Sequence, residues 1–126
     1  MDELFRTPNI RRLATALLVA AACFAFWAAL QPKLAPPGVY HTDKIVHVLV
    51  FAVLGGLAAL ARTSRRWLLL AVLALAGLGV LIEIGQSMVP GRSASLSDLL
   101  GDLIGIAAGV AAVEMTAPFW LKLART

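Results

Sequence analysis

The chain has 126 residues, of which 60% are hydrophobic and only 14% charged, and its mean hydropathy is +0.87. Such a composition excludes a soluble globular domain and indicates an integral membrane protein of single-domain size. The net charge of +4 does not indicate nucleic-acid binding, because the basic residues flank apolar stretches and form no stripe with interleaved aromatic residues.

Four apolar stretches predict transmembrane helices, each close to the length that a hydrocarbon core of about 30 Å requires. They cover approximately residues 13–30, 45–61, 67–86 and 96–117. The first stretch is expected to be retained as a helix, because a proline-rich turn follows it where a signal peptide would have a small-residue cleavage site. The predicted fold is therefore all-α: one domain over residues 1–126, built as a compact bundle of four antiparallel transmembrane helices.

Lysine and arginine are distributed unequally between the two ends of this bundle. The amino-terminal tail and the second connection hold three each and the carboxy-terminal tail two, against two in the first connection and one in the third. Because cytoplasmic loops carry the excess of positive charge, both termini are predicted to lie in the cytoplasm. The expected location is the cytoplasmic (inner) membrane, with the first and third connections facing outward.

The fourth stretch carries three glycines at four-residue spacing, Gly101, Gly105 and Gly109. This spacing gives a helix one smooth face on which another backbone can approach closely. The stripe can pack either within the chain or across a homo-oligomer, and both arrangements stay open. Asp98 and Asp102 lie on or beside the stripe, so they are expected to point into the bundle rather than toward lipid.

Polar and ionisable residues concentrate at the outward end of the predicted bundle. They are His41, Asp43, Lys44, His47, Glu83, Gln86, Arg92, Asp98 and Asp102. Charged side chains near the hydrocarbon core cost a few kcal/mol each, so those present are expected to pair or to line a functional site. Asp43 and His47 are four residues apart on one helix face, and Asp43 is therefore predicted to orient His47.

Several of these residues belong to a longer pattern that is similar to a known family. The pattern consists of Asp43-Lys44-x-x-His47-x-x-x-Phe51, Glu83-x-x-Gln86, Pro90-Gly91-Arg92, Ser95, Ser97-Asp98, Asp102, Gly105 and Gly109. In order and spacing, over approximately residues 40–110, it resembles VanZ-like membrane proteins. That family commonly has Asn where this chain has Asp102, so the carboxylate is a departure from the pattern.

The resemblance implies a bacterial cell-envelope protein and a link with glycopeptide resistance, since the family is named after an accessory protein associated with teicoplanin. It also implies a distant similarity to membrane enzymes that exchange or cleave phospholipid or polyprenyl head groups. The first hypothesis is accordingly an enzyme that hydrolyses or transfers a lipid-linked phosphate or head group at the outer leaflet.

This hypothesis gives a role to each of these polar residues except His41. His47 is the base or nucleophile, and Asp43, Glu83 and Asp98 assist it as further catalytic residues. The expected substrate-binding residues are Lys44, Gln86, Arg92 and Asp102. No cofactor motif is present, and no ligand spacing is diagnostic of a metal. Glu83 and Asp98 are alternatively expected to hold a divalent cation, for which their oxygen atoms would suit Mg²⁺ or Ca²⁺.

Two other functions stay open. The same pocket can bind a membrane lipid, a lipid-linked envelope precursor, a glycopeptide or a partner protein without chemistry. Transport is disfavoured, because the first predicted helix has no charge and Glu83 lies near one surface, whereas alternating access needs a site near the midplane. Purely structural roles are an ion pair of Glu83 with Arg92 and a capping box in which Ser95 is the N-cap and Asp98 the N3 residue.

Overall fold

The structure, a computed structural model, describes residues 7–32 and 42–123, without the side chains of residues 42, 43 and 120–123. This part of the chain forms four helices and no strand: α1 (Pro8–Ala29), α2 (Thr42–Ala61), α3 (Arg65–Ser87) and α4 (Leu96–Leu123). All four contain a segment long and apolar enough to cross a membrane. The prediction of an all-α bundle of four transmembrane helices is confirmed.

The helices extend farthest beyond the apolar stretches at the start of α1 and at the end of α4. α1 begins at Pro8, five residues before the predicted start, because the Thr7 hydroxyl accepts a hydrogen bond from the Ile10 N–H at 3.3 Å and Pro8 occupies the first helical position. α4 continues through Pro118 to Leu123. Hydropathy marks only the part of a helix that fits the hydrocarbon core, so helical residues beyond that length are not predicted by it.

α2 lies at the centre of the bundle. It has the most extensive contacts, and both α2 and α3 contact all three other helices, whereas α1 and α4 each contact only α2 and α3. Within the described residues α1 and α4 do not meet. α1 and α3 end, and α2 and α4 begin, at the same end of the bundle, which is called the site end below.

The most extensive contact joins α2 and α4, which run parallel. A side chain on Gly101 would contact Val48, one on Gly105 would collide with the Val48 carbonyl, and one on Gly109 would collide with the Ala52 carbonyl. The glycine stripe of α4 therefore packs within the chain, directly against the backbone of α2. Such close backbone approach is typical of small-residue faces in membrane helices.

The buried core is small relative to the apolar content of the chain. Its central residues are Phe51, Leu54, Ala58, Leu75, Ile82 and Ile106. Many large apolar side chains instead point outward from all four helices, among them Leu17, Phe24, Leu73 and Ile104. An outer surface of this kind is stable in lipid and would aggregate in water.

Candidate functional site

The first element of the site is a side-chain pair that joins α2 to α4. His47 lies about one turn into α2, and its Nδ1 is 2.7 Å from Oδ1 of Asp102, which is fully buried one turn into α4. The pairing depends on the parallel packing of the two helices, since the residues are 55 positions apart. An acid held against one imidazole nitrogen fixes the ring orientation and leaves the other nitrogen for chemistry.

Glu83, on α3, is the third member of this group. It is 7% exposed, and its Oε2 accepts a hydrogen bond of 2.6 Å from the Ser95 backbone N–H, just before α4 begins. Each of His47, Glu83 and Asp102 offers one nitrogen or oxygen atom such that the three atoms lie within 4.8 Å of one another. These residues are called the three-residue cluster below.

Two carboxylate oxygens of the cluster have no hydrogen-bond partner among the side chains and backbone that the structure describes. They are Oε1 of Glu83 and Oδ2 of Asp102, and both are inaccessible to solvent. Buried carboxylate oxygens are usually satisfied by a protein donor, a water or an ion. The cluster therefore has unused acceptor capacity in the interior of the bundle.

Asp98 lies close to the cluster without joining it. Asp98 is buried one turn before Asp102, near enough for its charge to act on both His47 and Glu83. The predicted capping box does not form, because the Ser95 hydroxyl pairs with Ser97 and the Ser95 N–H donates to Glu83. Lys44 is half-buried at the start of α2.

The predicted pairing of Asp43 with His47 lies outside the described side chains and stays a prediction, while the structure shows another acid on His47. Asp43 belongs to α2, but its side chain lies outside the described residues, and the acid seen on His47 is Asp102. The spacing of Asp43 and His47 shows only that they share a helix face, whereas a contact between helices depends on tertiary packing. Asp102, assigned above to substrate binding, is thus a direct partner of the proposed catalytic residue.

Gln86 and Arg92 connect the site end to α1. Gln86 is 3% exposed and donates from Nε2 to the Ala29 carbonyl at 3.1 Å, while Arg92 Nε donates to the Gln31 carbonyl at 2.8 Å. The predicted ion pair of Glu83 with Arg92 is not formed. Both bonds satisfy backbone carbonyls at the end of α1, where no following turn can do so.

A cavity of about 440 Å³ lies between α1, α2 and α3 and reaches the site end. Its wall is mostly apolar and includes Phe24, which also lies on the outer surface of the bundle. Three polar side chains line it as well, His47, Gln86 and Arg92. The volume falls within the roughly 300–1,000 Å³ common for ligand pockets. This lipid-side cavity joins an apolar surface to the proposed catalytic histidine.

Gly79 is a residue of the site that the sequence interpretation missed. A Cβ atom built on it would lie 2.7 Å from Oδ2 of Asp102, so the absence of a side chain makes room for that carboxylate. The position of Gly79 one turn before Glu83, on the same face of α3, was the available signal. Glycine is otherwise an unfavourable residue in a helix interior.

These features define a polytopic membrane protein: four apolar helices that gather a histidine and buried carboxylates at one end. The sequence model of the VanZ/LLP1 family matches residues 5–117, so the chain belongs to this family. The family inferred from the motifs is thereby confirmed. No curated protein and no solved structure matches the chain.

Proposed function

We propose that this VanZ-family protein is an enzyme that hydrolyses or transfers the head group of a lipid-linked phosphate. The observation that carries the proposal is the joining of two regions at His47: this side chain lines the lipid-side cavity and also pairs with Asp102. An amphiphile is the kind of molecule that such a site fits. Its chain would occupy the apolar wall and its head group the polar end.

Arg92 is the proposed phosphate-binding residue. One guanidinium nitrogen is used on the Gln31 carbonyl, and the two terminal nitrogens have no partner among the described residues. Guanidinium groups bind phosphate oxygens through two parallel N–H donors. Gln86 lines the same end of the cavity and, by holding α1, would keep its apolar wall in place.

His47 is the proposed base. In hydrolysis a water oxygen bonds to phosphorus and the phosphoester P–O bond to the lipid breaks. His47 takes the proton from the water and, as the imidazolium, gives a proton to the departing alkoxide. In head-group transfer an alcohol replaces the water. Asp102 would hold the imidazole in one tautomer and stabilise its protonated form, as the acid does in a histidine–carboxylate pair.

We propose further that the site end faces outward from the inner membrane, with both termini in the cytoplasm. The excess of basic residues in the tails and in the second connection supports this orientation. Reporter fusions after residue 126 and within the first connection would test it. Activity of a cytoplasmic reporter at residue 126 and of a periplasmic reporter in the first connection is expected, and the reverse result would contradict it.

The experiment is a comparison of lipid species in nanodiscs. Wild-type protein and the His47→Ala variant are incubated with envelope lipid extract, and the lipids are analysed by mass spectrometry. Glu114→Gln, far from the site, serves as the matched control. A head-group change with wild type and control but not with His47→Ala is expected, and it would also identify the substrate class. Full conversion by a folded His47→Ala protein would contradict the assignment.

A second candidate is lipid or glycopeptide binding without turnover. It is favoured by the hydrogen bonds of Gln86 and Arg92 to α1, which give both residues a structural role. A lipid that co-purifies with wild type but is not converted would support this alternative. A link with teicoplanin resistance stays a prediction, measured as the inhibitory concentration with and without expression of the chain.

A further inference from the structure

We infer that His47, Glu83 and Asp102 form a binding site for one divalent transition-metal cation, with Zn²⁺ as the best fit. The inference concerns the same residues as the proposed function, but it does not rest on any lipid reaction. It arises from three properties of the cluster: unused acceptor atoms, uncompensated charge and a mixed set of donor atoms.

The unused acceptors are the first property. Asp102 is fully buried and Glu83 is 7% exposed, and each has one carboxylate oxygen without a partner in the described part of the chain. The two carboxylates come from different helices, α4 and α3, and one oxygen of each lies within 4.8 Å of the other and of a ring nitrogen of His47. A single ion between them would satisfy both oxygens at once, which one protein donor cannot readily do.

Charge is the second property. No described lysine or arginine forms an ion pair with Glu83 or Asp102; the described ion pairs are those of His47 with Asp102 and of Arg62 with Glu114. In the forms that can ligate a metal, two ionised carboxylates and a neutral imidazole, the cluster would carry a net charge of about −2, which is costly inside a membrane bundle. A divalent cation would reduce this charge to zero.

The donor set is the third property. One imidazole nitrogen and two carboxylate oxygens suit Zn²⁺ better than Mg²⁺ or Ca²⁺, which prefer oxygen ligands alone. The three donor atoms lie within 4.8 Å of one another, so small side-chain rotations would bring them to the bonding distances of about 2.0–2.2 Å. Three protein ligands leave one position of a tetrahedral ion open, as in catalytic zinc sites.

Two of the proposed ligands differ from the sequence expectation, which paired Glu83 with Asp98 around Mg²⁺ or Ca²⁺. Asp98 is buried nearby but is not among the three residues whose donor atoms converge. Asp102, one turn further along α4, takes its place. The negative charge of Asp98 would still increase the attraction of the site for a cation.

The test measures metal content, not turnover. Protein in nanodiscs is stripped with a chelator, equilibrated with Zn²⁺ or with Mg²⁺, desalted and analysed by inductively coupled plasma mass spectrometry. About one Zn²⁺ per chain is expected in wild type and in the Glu114→Gln control. Glu83→Gln and Asp102→Asn preserve side-chain shape, and each should weaken the Zn²⁺ affinity about tenfold or more.

Thermal unfolding gives a second readout, in wild type and in the same variants. Because an ion that binds only the folded state stabilises it, Zn²⁺ should raise the melting temperature of stripped wild type, and Mg²⁺ at the same concentration should not. No retained Zn²⁺ in wild type, or equal retention and equal thermal shifts in Glu83→Gln, would overturn the inference in favour of a bridging water or a shared proton.

Metal content and lipid conversion separate this inference from the proposed function. Zn²⁺ binding without any lipid conversion would leave the metal site standing and contradict the enzyme. Lipid conversion by a wild-type protein that retains no Zn²⁺ after equilibration and desalting would leave the enzyme standing and contradict the metal site. His47→Ala is not used to distinguish the two, because the same imidazole serves both as base and as ligand.

Discussion

At each end of the bundle, an acidic residue of α4 faces a residue in or just after α2. The two acids differ in how deeply they are buried and in whether their carboxylate oxygens all have a partner or access to solvent. At the site end Asp102 pairs with His47, and the acid is fully buried. At the opposite end Glu114 pairs with Arg62 at 3.3 Å, and its side chain is about one-third exposed.

The two pairs also differ in whether a buried carboxylate oxygen of the acid is left without a partner. Glu114 has an oppositely charged partner and remains accessible, so it resembles an ordinary charged residue at a membrane interface. Asp102 has a histidine on one oxygen and nothing described on the other. A buried acid with spare acceptor capacity is costly to a membrane protein, and its presence is better explained by a ligand or a reaction than by stability.

The strongest test of this comparison replaces the acid at each end by leucine. Asp102→Leu is expected to reduce lipid conversion by roughly 10²–10⁴-fold, the usual contribution of positioned acid–base groups. Glu114→Leu is the matched control on the same helix and should leave the rate nearly unchanged. Conversion rates in nanodiscs provide the measurement. Equal losses in both variants would show that the two ends do not differ in function.

The second prediction concerns the glycine contact that brings Asp102 to His47. Gly105→Leu would force its side chain into the Val48 carbonyl of α2 and the neighbouring Ala52 N–H. A loss of roughly 1–3 kcal/mol in the free energy of unfolding is expected from overpacking. Gly77→Leu, where a Cβ meets nothing within 4 Å, is the control. Similar denaturation midpoints for both variants would argue against the α2–α4 contact.

A smaller and more local effect is expected at Gly79. Gly79→Ala would place its Cβ 2.7 Å from Oδ2 of Asp102, so the carboxylate must shift while the bundle stays folded. The predicted consequence is a loss of about tenfold in lipid conversion, since small displacements at a reacting site are costly. Gly77→Ala on the same helix should retain the wild-type rate. Unchanged turnover in Gly79→Ala would mean that the carboxylate position is not critical.

The smallest effect belongs to the opposite end. Glu114→Gln removes the charge that faces Arg62, and partly exposed ion pairs contribute only about 0.2–1 kcal/mol. The melting temperature in nanodiscs should therefore fall slightly, and less at high salt. A loss of stability as large as that caused by Gly105→Leu would show that the pair of Glu114 and Arg62 is a major stabilising contact.

Much of the fold could be predicted because hydropathy is a local property. Each apolar stretch has the length of one membrane crossing, and α2 ends at Ala61 as predicted, while the largest extensions beyond the predicted bounds are those of α1 and α4. The extensions depend on a cap at Thr7 and on a helix that passes through Pro118. Neither feature changes the hydropathy of the stretch beside it.

The candidate site was predicted in its members but not in its contacts. His47, Glu83 and Asp102 were all identified from their unusual polarity, whereas the pairing of His47 was assigned to Asp43 because only neighbours on one helix can be related by spacing. The role of Gly79 was missed for the same reason. The role of this glycine in α3 depends on the α4 side chain that occupies the space beside it, which the sequence does not show.

The sequence by itself determined that this protein is a four-helix VanZ-family membrane protein with its polar residues at one end, since composition, stretch length and motif order depend on the chain alone. Only the tertiary structure decided that the glycine stripe packs on α2 within the chain and that Asp102 thereby meets His47. The physical reason is that a smooth helix face specifies close approach without specifying a partner.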